Sequence, residues 1–291
     1  MYDFEEFVDR VKEEVEKSLP TYLKDADVVI SDVKKIGETY SSIGINKLGK
    51  NEPYPVANLT RMFEDYQKGI PIEAIVSKIE ELVYSPSLPI GDIEFLKSYD
   101  QMKKRLFVRL CNAKENELLL KEIPHRMISD LAMSYHICIR SSGTNFASAT
   151  IDYTALANLG ISEEQLHEDA LRNSVEVLIP VVKPAGDMIG ISSDLPMQVI
   201  TDTIRINGSS VIMYPEVRRE LTEFYGGDFL IIPSSIHEIL AYPFQPERIA
   251  EFNSMVRLVN EHVDQEDRLS DHVYVYDSRN DRILSINDVM S

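Results

Sequence analysis

The run from Gly226 to Pro243 dictates a local order of elements before any composition is considered. The pair Gly226-Gly227 releases the chain from a preceding helix, and Phe229 to Ile232 reads as a buried strand. Pro233 interrupts that strand's ladder, and a second apolar run, Ile236 to Ala241, follows at once. Ser234, Ser235, His237 and Glu238 therefore fall at the joint between two apolar segments. A helix, a stop and two adjoining strands within so short a span point to a mixed helix and sheet domain.

The rest of the chain is long enough to bury such a sheet. At 291 residues with 44% hydrophobic content, it builds a substantial core without staples. Cys111 and Cys138 lie inside apolar alternating runs, and two cysteines in a chain of this length read as buried reduced thiols. The acidic opening Met1-Tyr2-Asp3-Phe4-Glu5-Glu6 is unlike a signal peptide, so the expected location is the cytoplasm. No apolar run approaches the roughly 20 residues of a membrane-spanning helix. A net charge of −18 repels phosphate backbones and anionic lipid, so neither nucleic acid nor a membrane surface is an expected partner. Lys103-Lys104-Arg105 and Arg218-Arg219 are read as solvated clusters.

Periodicity assigns the elements. Phe4, Phe7, Val8, Val11 and Val15 predict an amphipathic helix, closed by Pro20. Val28 to Val33, Tyr40 to Asn46 and a shorter run near Tyr54 to Leu59 predict a strand meander. Thr60 is read as the cap of a helix carrying Met62, Phe63 and Tyr66, and Pro71 opens one carrying Ile72, Ile75, Val76 and Ile79. Ser85-Pro86-Ser87-Leu88-Pro89 is a break, followed by a helix near Ile93 to Lys103. Strands are expected at Arg105 to Asn112, Leu131 to Arg140 and Ala149 to Ile151, and Ser162 with Gln165 starts a helix reaching about Asn173.

Pro180, Pro184 and Pro196 punctuate a stretch read as loop or short strand. Asn207-Gly208, between Val199 to Ile206 and Ser209 to Met213, predicts a two-residue hairpin turn with positive φ at both residues. Pro215 and Pro246 each open a helix, and Val273 to Tyr276 pairs with Ile283 to Ile286. The expected class is α+β, with mostly antiparallel sheets covered by amphipathic helices. An N-terminal part, 1–122, and a C-terminal part, 123–291, either share one core or stand apart.

Separated blocks then agree in order with one family. They are Phe4-Glu5-Glu6-Phe7, Phe63 to Gly69, Pro124-His125-Arg126, Leu131-Ala132, and Gly160 to Leu166 with Ala170 and Asn173. Met213-Tyr214-Pro215, Asp228 to Glu238 and Leu269 to Asp277 complete the set. The chain resembles, over nearly its whole length, the bacterial domain-of-unknown-function family five-six-eight-eight, uncharacterised proteins mainly of anaerobic gut Gram-positive bacteria. The resemblance implies no reaction, ligand or catalytic residue, and the tract from Pro180 to Pro196 departs from it.

The polar joint holds the residue types of a nucleophile, a base and an acid: Ser235, His237 and Glu238 are the candidate catalytic residues. On an extended segment Ser235 and His237 share a face while Glu238 points away. The glycine-flanked elbow of serine hydrolases is absent around Ser235. Position 241 is Ala241, so His237-Glu238 lacks the second histidine of a zinc helix, and His125, His136, His262 and His272 stand at unlike spacings. No glycine-rich nucleotide cradle occurs. No metal or other cofactor is therefore expected. The leading expectation is a non-catalytic cytoplasmic binding or regulatory protein with an unknown protein or small-molecule partner. The alternatives are a hydrolase-like enzyme using Ser235 and His237 with Asp271 as the acid, and an acidic mimic of nucleic acid.

Overall fold

A computed structural model describes residues 2–46, 54–84, 95–96, 98–142, 145–190 and 195–286. The Ser85 to Pro89 break lies outside them. The chain divides into two compact units, Met1–Asp92 and Ile93–Ser291. The boundary does not fall after residue 122, because a sheet spans that position, as shown below.

The first unit opens with α1 (Phe4–Ser18), whose N-terminus is closed by a reciprocal box. Asp3 Oδ1 accepts from the Glu6 N–H at 2.9 Å, and Glu6 Oε2 accepts from the Asp3 N–H at 3.2 Å. Strands β1 (Asp27–Lys35), β2 (Glu38–Asn46) and β3 (Val56–Asn58) form the expected antiparallel meander. Helices α2 (Leu59–Gln67) and α3 (Ile72–Tyr84) complete the unit. Phe7, Val11 and Val15 from α1 bury with Ile43, Leu59, Ile75 and Ile79 in one core. The cap of α2 is Asn58, which accepts from the Arg61 N–H at 3.0 Å, and not Thr60. The Thr60 hydroxyl instead accepts from the Ser41 N–H at 3.1 Å, tying the helix to β2.

The second unit holds two sheets. The helix expected over 93–103 is interrupted where it is described: Ser98 is extended between a 3-10 turn at Phe95 and Leu96 and α4 (Tyr99–Met102), after which a second 3-10 turn and β4 (Leu106–Asn112) lead to α5 (Glu117–Leu120). Strands β5 (His125–Ile128), β6 (Leu131–Ser142) and β7 (Asn145–Thr150) follow. β4 pairs with β6 from Leu106↔Ile137 to Asn112↔Leu131, so a cut at 122 would split this four-stranded sheet. Then come α6 (Tyr153–Leu159) and α7 (Glu163–Val177), the latter capped by Ser162 as expected but running past Asn173.

The proline-punctuated stretch forms β8 (Pro180–Pro184) and α8 (Ala185–Ile189). The remaining elements are β9 (Gln198–Asp202), α9 (Pro215–Tyr225), β10 (Phe229–Ser235), β11 (Glu238–Pro243), α10 (Ile249–Asn260), β12 (Tyr274–Asp277) and β13 (Arg282–Ser285). The larger sheet runs β13-β12-β10-β11-β9-β8, and all of its pairings are antiparallel.

Alternation along β10 separates two cores. Phe229 and Ile231 join Leu106, Val108, Tyr135, Leu166 and Tyr274, while Leu230 and Ile232 join Phe252 and Val256 of α10. The glycine pair does stop α9: Gly226 caps it at φ +76° and Gly227 follows at +154°.

The hairpin expected at Asn207-Gly208 is absent. Both edges of β9 are already taken, by β8 and β11, so no ladder is open to residues 209–213. The buried Asp202 carboxylate gathers the chain instead, accepting from the N–H groups of Ile204, Ile206 and Asn207 at 2.7, 3.3 and 3.1 Å. Asn207 has φ −141°, and Gly208–Met213 is a 3-10 segment. No helix among the described residues is long and apolar enough to cross a membrane.

Candidate functional site

β10 and β11 make a hairpin whose register shifts between Pro233 and Ser235, so Ile236 and His237 form its turn. Within it, Ser235 Oγ accepts from the His237 N–H at 3.0 Å, and Ser234 donates to Glu238 Oε1 at 3.2 Å. These are turn-closing bonds. The His237 ring faces elsewhere: Nδ1 meets the Ile206 carbonyl, and Nε2 lies 3.2 Å from Asp267 Oδ1. A carbonyl only accepts, so Nδ1 carries the proton, and the Asp267 contact becomes an ion pair when Nε2 is protonated too. No hydrogen bond joins the Ser235 hydroxyl to either ring nitrogen.

The turn serves as a junction. Thr201 Oγ1 donates to the His237 carbonyl at 2.8 Å, the Ser209 N–H to the Ile236 carbonyl at 3.2 Å, and the Ile236 N–H to the Asp267 carbonyl at 2.8 Å. Ile236 and His237 thus tie the turn to the segment from Thr201 to Ser209 and to Asp267, while Ser235 and Glu238 bond within the turn, and the acid beside His237 is Asp267 rather than Asp271.

Asp271 belongs to a second polar cluster, which sequence reasoning did not assemble. His272 Nδ1 lies 2.9 Å from Asp271 Oδ1 and 3.2 Å from Ser270 Oγ. Its Nε2 is buried 3.6 Å from Asp130 Oδ1, an ion-pair contact beyond hydrogen-bond reach. Tyr274 from β12 donates to Asp130 Oδ1 at 2.8 Å. Asp130 first, against the opposing effect of burial, and then Asp271 raise the His272 pKa to about 9. Burial pushes the Asp130 carboxyl up, but His272 and Tyr274 outweigh it and its pKa falls. His272 is therefore an imidazolium at neutral pH and holds no free lone pair for base chemistry.

The folded pKa exceeds the ordinary 6.5, so this stabilisation is complete below about pH 6.5 and disappears as pH rises through 9. About 1–2 kcal/mol is expected to be lost on that rise, after allowance for solvent screening. Thermal unfolding of the protein and of His272→Asn between pH 6.5 and 10 checks this, and equal pH dependence in the two proteins would refute it.

Asp130, Asp271 and Ser270 border a cavity of about 540 Å³ within the second unit. Lys114 and Glu115 reach it from the end of β4, Arg257 from α10, and Arg268 from the following loop. Arg268 Nε donates to the Val263 carbonyl at 3.1 Å, but none of the three cations forms an ion pair with a described residue. In the lining three cations, Lys114, Arg257 and Arg268, stand against three carboxylates, Glu115, Asp130 and Asp271, and the last two are faced by the neighbouring His272. The lining is thus charge-balanced in a chain of net charge −18. The sequence signal was weak, because these residues come from positions 114 to 272 without a motif.

The remaining histidines serve locally. His125 Nδ1 meets the Ile123 carbonyl, His262 Nδ1 meets the Leu258 carbonyl, His167 Nδ1 lies 3.2 Å from the Tyr135 hydroxyl, and His136 is buried between Ser134 and Thr150. Burial, aided by Arg109, drives the His136 pKa well below its usual value. Cys111 and Cys138 are buried free thiols, and burial raises the Cys111 pKa to about 12.

A family model described as a family of unknown function, DUF5688, matches residues 4–278. No curated protein and no solved structure matches the chain.

Proposed function

We propose, from the premise that the chain belongs to the DUF5688 family of unknown function, that it is a non-catalytic binding or regulatory protein whose cavity takes a small organic anion. The observation that carries this reading is the convergence of Lys114, Arg257 and Arg268, none ion-paired among the described residues, on one concave site. Unpaired cations in a chain of net charge −18 are placed against the prevailing field, and an anionic guest supplies their counter-charge. The volume lies within the usual range for small-molecule sites. The occupied nitrogens of His237 and the protonated state of His272 also favour binding over proton transfer. Two buried reduced thiols accord with a cytoplasmic setting.

Citrate is the probe of choice, titrated at constant ionic strength while the melting temperature is followed. The expected result is a saturable rise, with apparent affinity reduced about tenfold or more in Arg257→Ser/Arg268→Gln, given the usual strength of charged hydrogen bonds. An unchanged melting temperature, or an equal rise in the double variant, contradicts the reading.

A further inference from the structure

The wall of the cavity in the second unit is stitched together from separate stretches of chain. The Ala113 N–H donates to the Asp130 carbonyl at 3.2 Å, Asn112 Nδ2 to the Leu269 carbonyl at 3.3 Å, and Asn260 Nδ2 to the Ser270 carbonyl at 2.9 Å. The Glu115 N–H closes the turn after β4 by donating to Asn112 Oδ1 at 3.1 Å. The stretches that carry the charged side chains are thereby held together before any guest arrives, which lowers the ordering cost of binding.

Two of the three carboxylates on that wall already face a cation. Asp271 Oδ1 lies 2.9 Å from His272 Nδ1 and Asp130 Oδ1 lies 3.6 Å from His272 Nε2, and Asp130 also accepts from Tyr274 at 2.8 Å. Glu115 forms no ion pair with a described residue, and it does not pair with Lys114, Arg257 or Arg268 across the cavity. A guest therefore meets three cations and one carboxylate without partners among the described residues. A guest bearing carboxylates alone would satisfy the cations but would bring like charge towards Glu115. An ammonium group on the guest turns that repulsion into attraction. Asn260 Oδ1, which accepts from no described residue, offers the ammonium a second acceptor on the same wall.

We propose, building on the anion-binding reading above, that the guest is an acidic amino acid, its two carboxylates held by Arg257, Arg268 and Lys114 and its ammonium by Glu115. Each planar guanidinium fork matches the two oxygens of a carboxylate, and the three N–H donors of an ammonium suit the separate acceptors Glu115 and Asn260. A cavity of about 540 Å³ has room for such a molecule.

The test titrates the full chain by calorimetry at constant ionic strength with L-glutamate and with glutarate, which keeps both carboxylates and lacks the ammonium. Saturable binding of both is expected, with L-glutamate about tenfold tighter, the usual worth of one charged hydrogen bond. Glu115 lies on an exposed turn, so Glu115→Gln leaves the fold intact. In that variant the affinity for L-glutamate is expected to fall about tenfold while glutarate binds at least as well as before, and the preference disappears. Arg257→Ser/Arg268→Gln is expected to weaken both probes. Equal affinity for the two probes in the unaltered protein, or a preference that survives Glu115→Gln, would overturn the assignment of an amino acid while leaving the anion site standing. Failure of L-glutamate, glutarate and citrate alike to bind would remove the site itself.

Discussion

Asp281→Ala is expected to lower the free energy of unfolding by about 2 kcal/mol, less than the breaking of a fully buried pair because the Asp281 side chain is 59% exposed. Arg218 of α9 is only 8% exposed. Its Nε donates to Asp281 Oδ1 at 2.7 Å, its Nη2 to Asp281 Oδ2 at 3.0 Å, and its Nη1 to the Ile212 carbonyl at 3.1 Å. Tyr276 donates to the same Asp281 Oδ1 at 2.8 Å. One guanidinium therefore fastens the helix to the 3-10 segment and to the turn between β12 and β13. Asp281 sits at φ +49°, a conformation that asparagine tolerates better than alanine. Asp281→Asn separates the two contributions, because it removes the charge and keeps the backbone preference. Urea unfolding of both variants measures the effect, and a loss below about 1 kcal/mol for alanine would reduce the clamp to an ordinary surface pair.

Gly208→Ala is expected to cost about 3 kcal/mol, the upper part of the range for overpacked interiors. An added Cβ would overlap the His237 carbonyl oxygen and Thr201 Oγ1, and would lie 2.5 Å from Thr201 Cα. Two of these obstacles are backbone atoms, which a change of rotamer cannot move. The substitution forces apart the 3-10 segment and the hairpin turn that carries Ser235 and His237. Its melting temperature should fall more than that of Gly190→Ala, where a Cβ has open space and only the φ of +69° opposes it. Equal losses would mean that close approach is not the reason for glycine at 208.

These two positions show where sequence reading succeeds and where it stops. Apolar spacing sufficed for the helix of Phe7, Val11 and Val15, for the β1-β2-β3 meander and for the β12-β13 hairpin, because neighbouring residues decide those patterns. Asn207-Gly208 carries a strong local turn signal, yet β9 had already spent both edges on β8 and β11. The glycine is there for proximity to another segment, which local rules do not encode. Arg218 reads as a solvated charge for the same reason: its partner lies 63 residues away. Ser235, His237 and Glu238 were legible as a polar joint, but its ties to other segments, made through Ile236 and His237, depend on Thr201, Ile206, Ser209 and Asp267. The cavity cations were illegible, since nothing in sequence places Lys114 beside Arg257 and Arg268.

The order of the six strands also bears on how the chain matures during synthesis. The four-stranded sheet is complete once residue 150 has left the ribosome, but β10 keeps an unpaired edge until β12 arrives, and β12 until β13. Emerging chains therefore carry an open, apolar strand border throughout the synthesis of residues 236–273, between the end of β10 and the start of β12. Ribosomal pausing within that interval would favour capture by chaperones or pairing between nascent copies, and release past Ser285 ends the exposure.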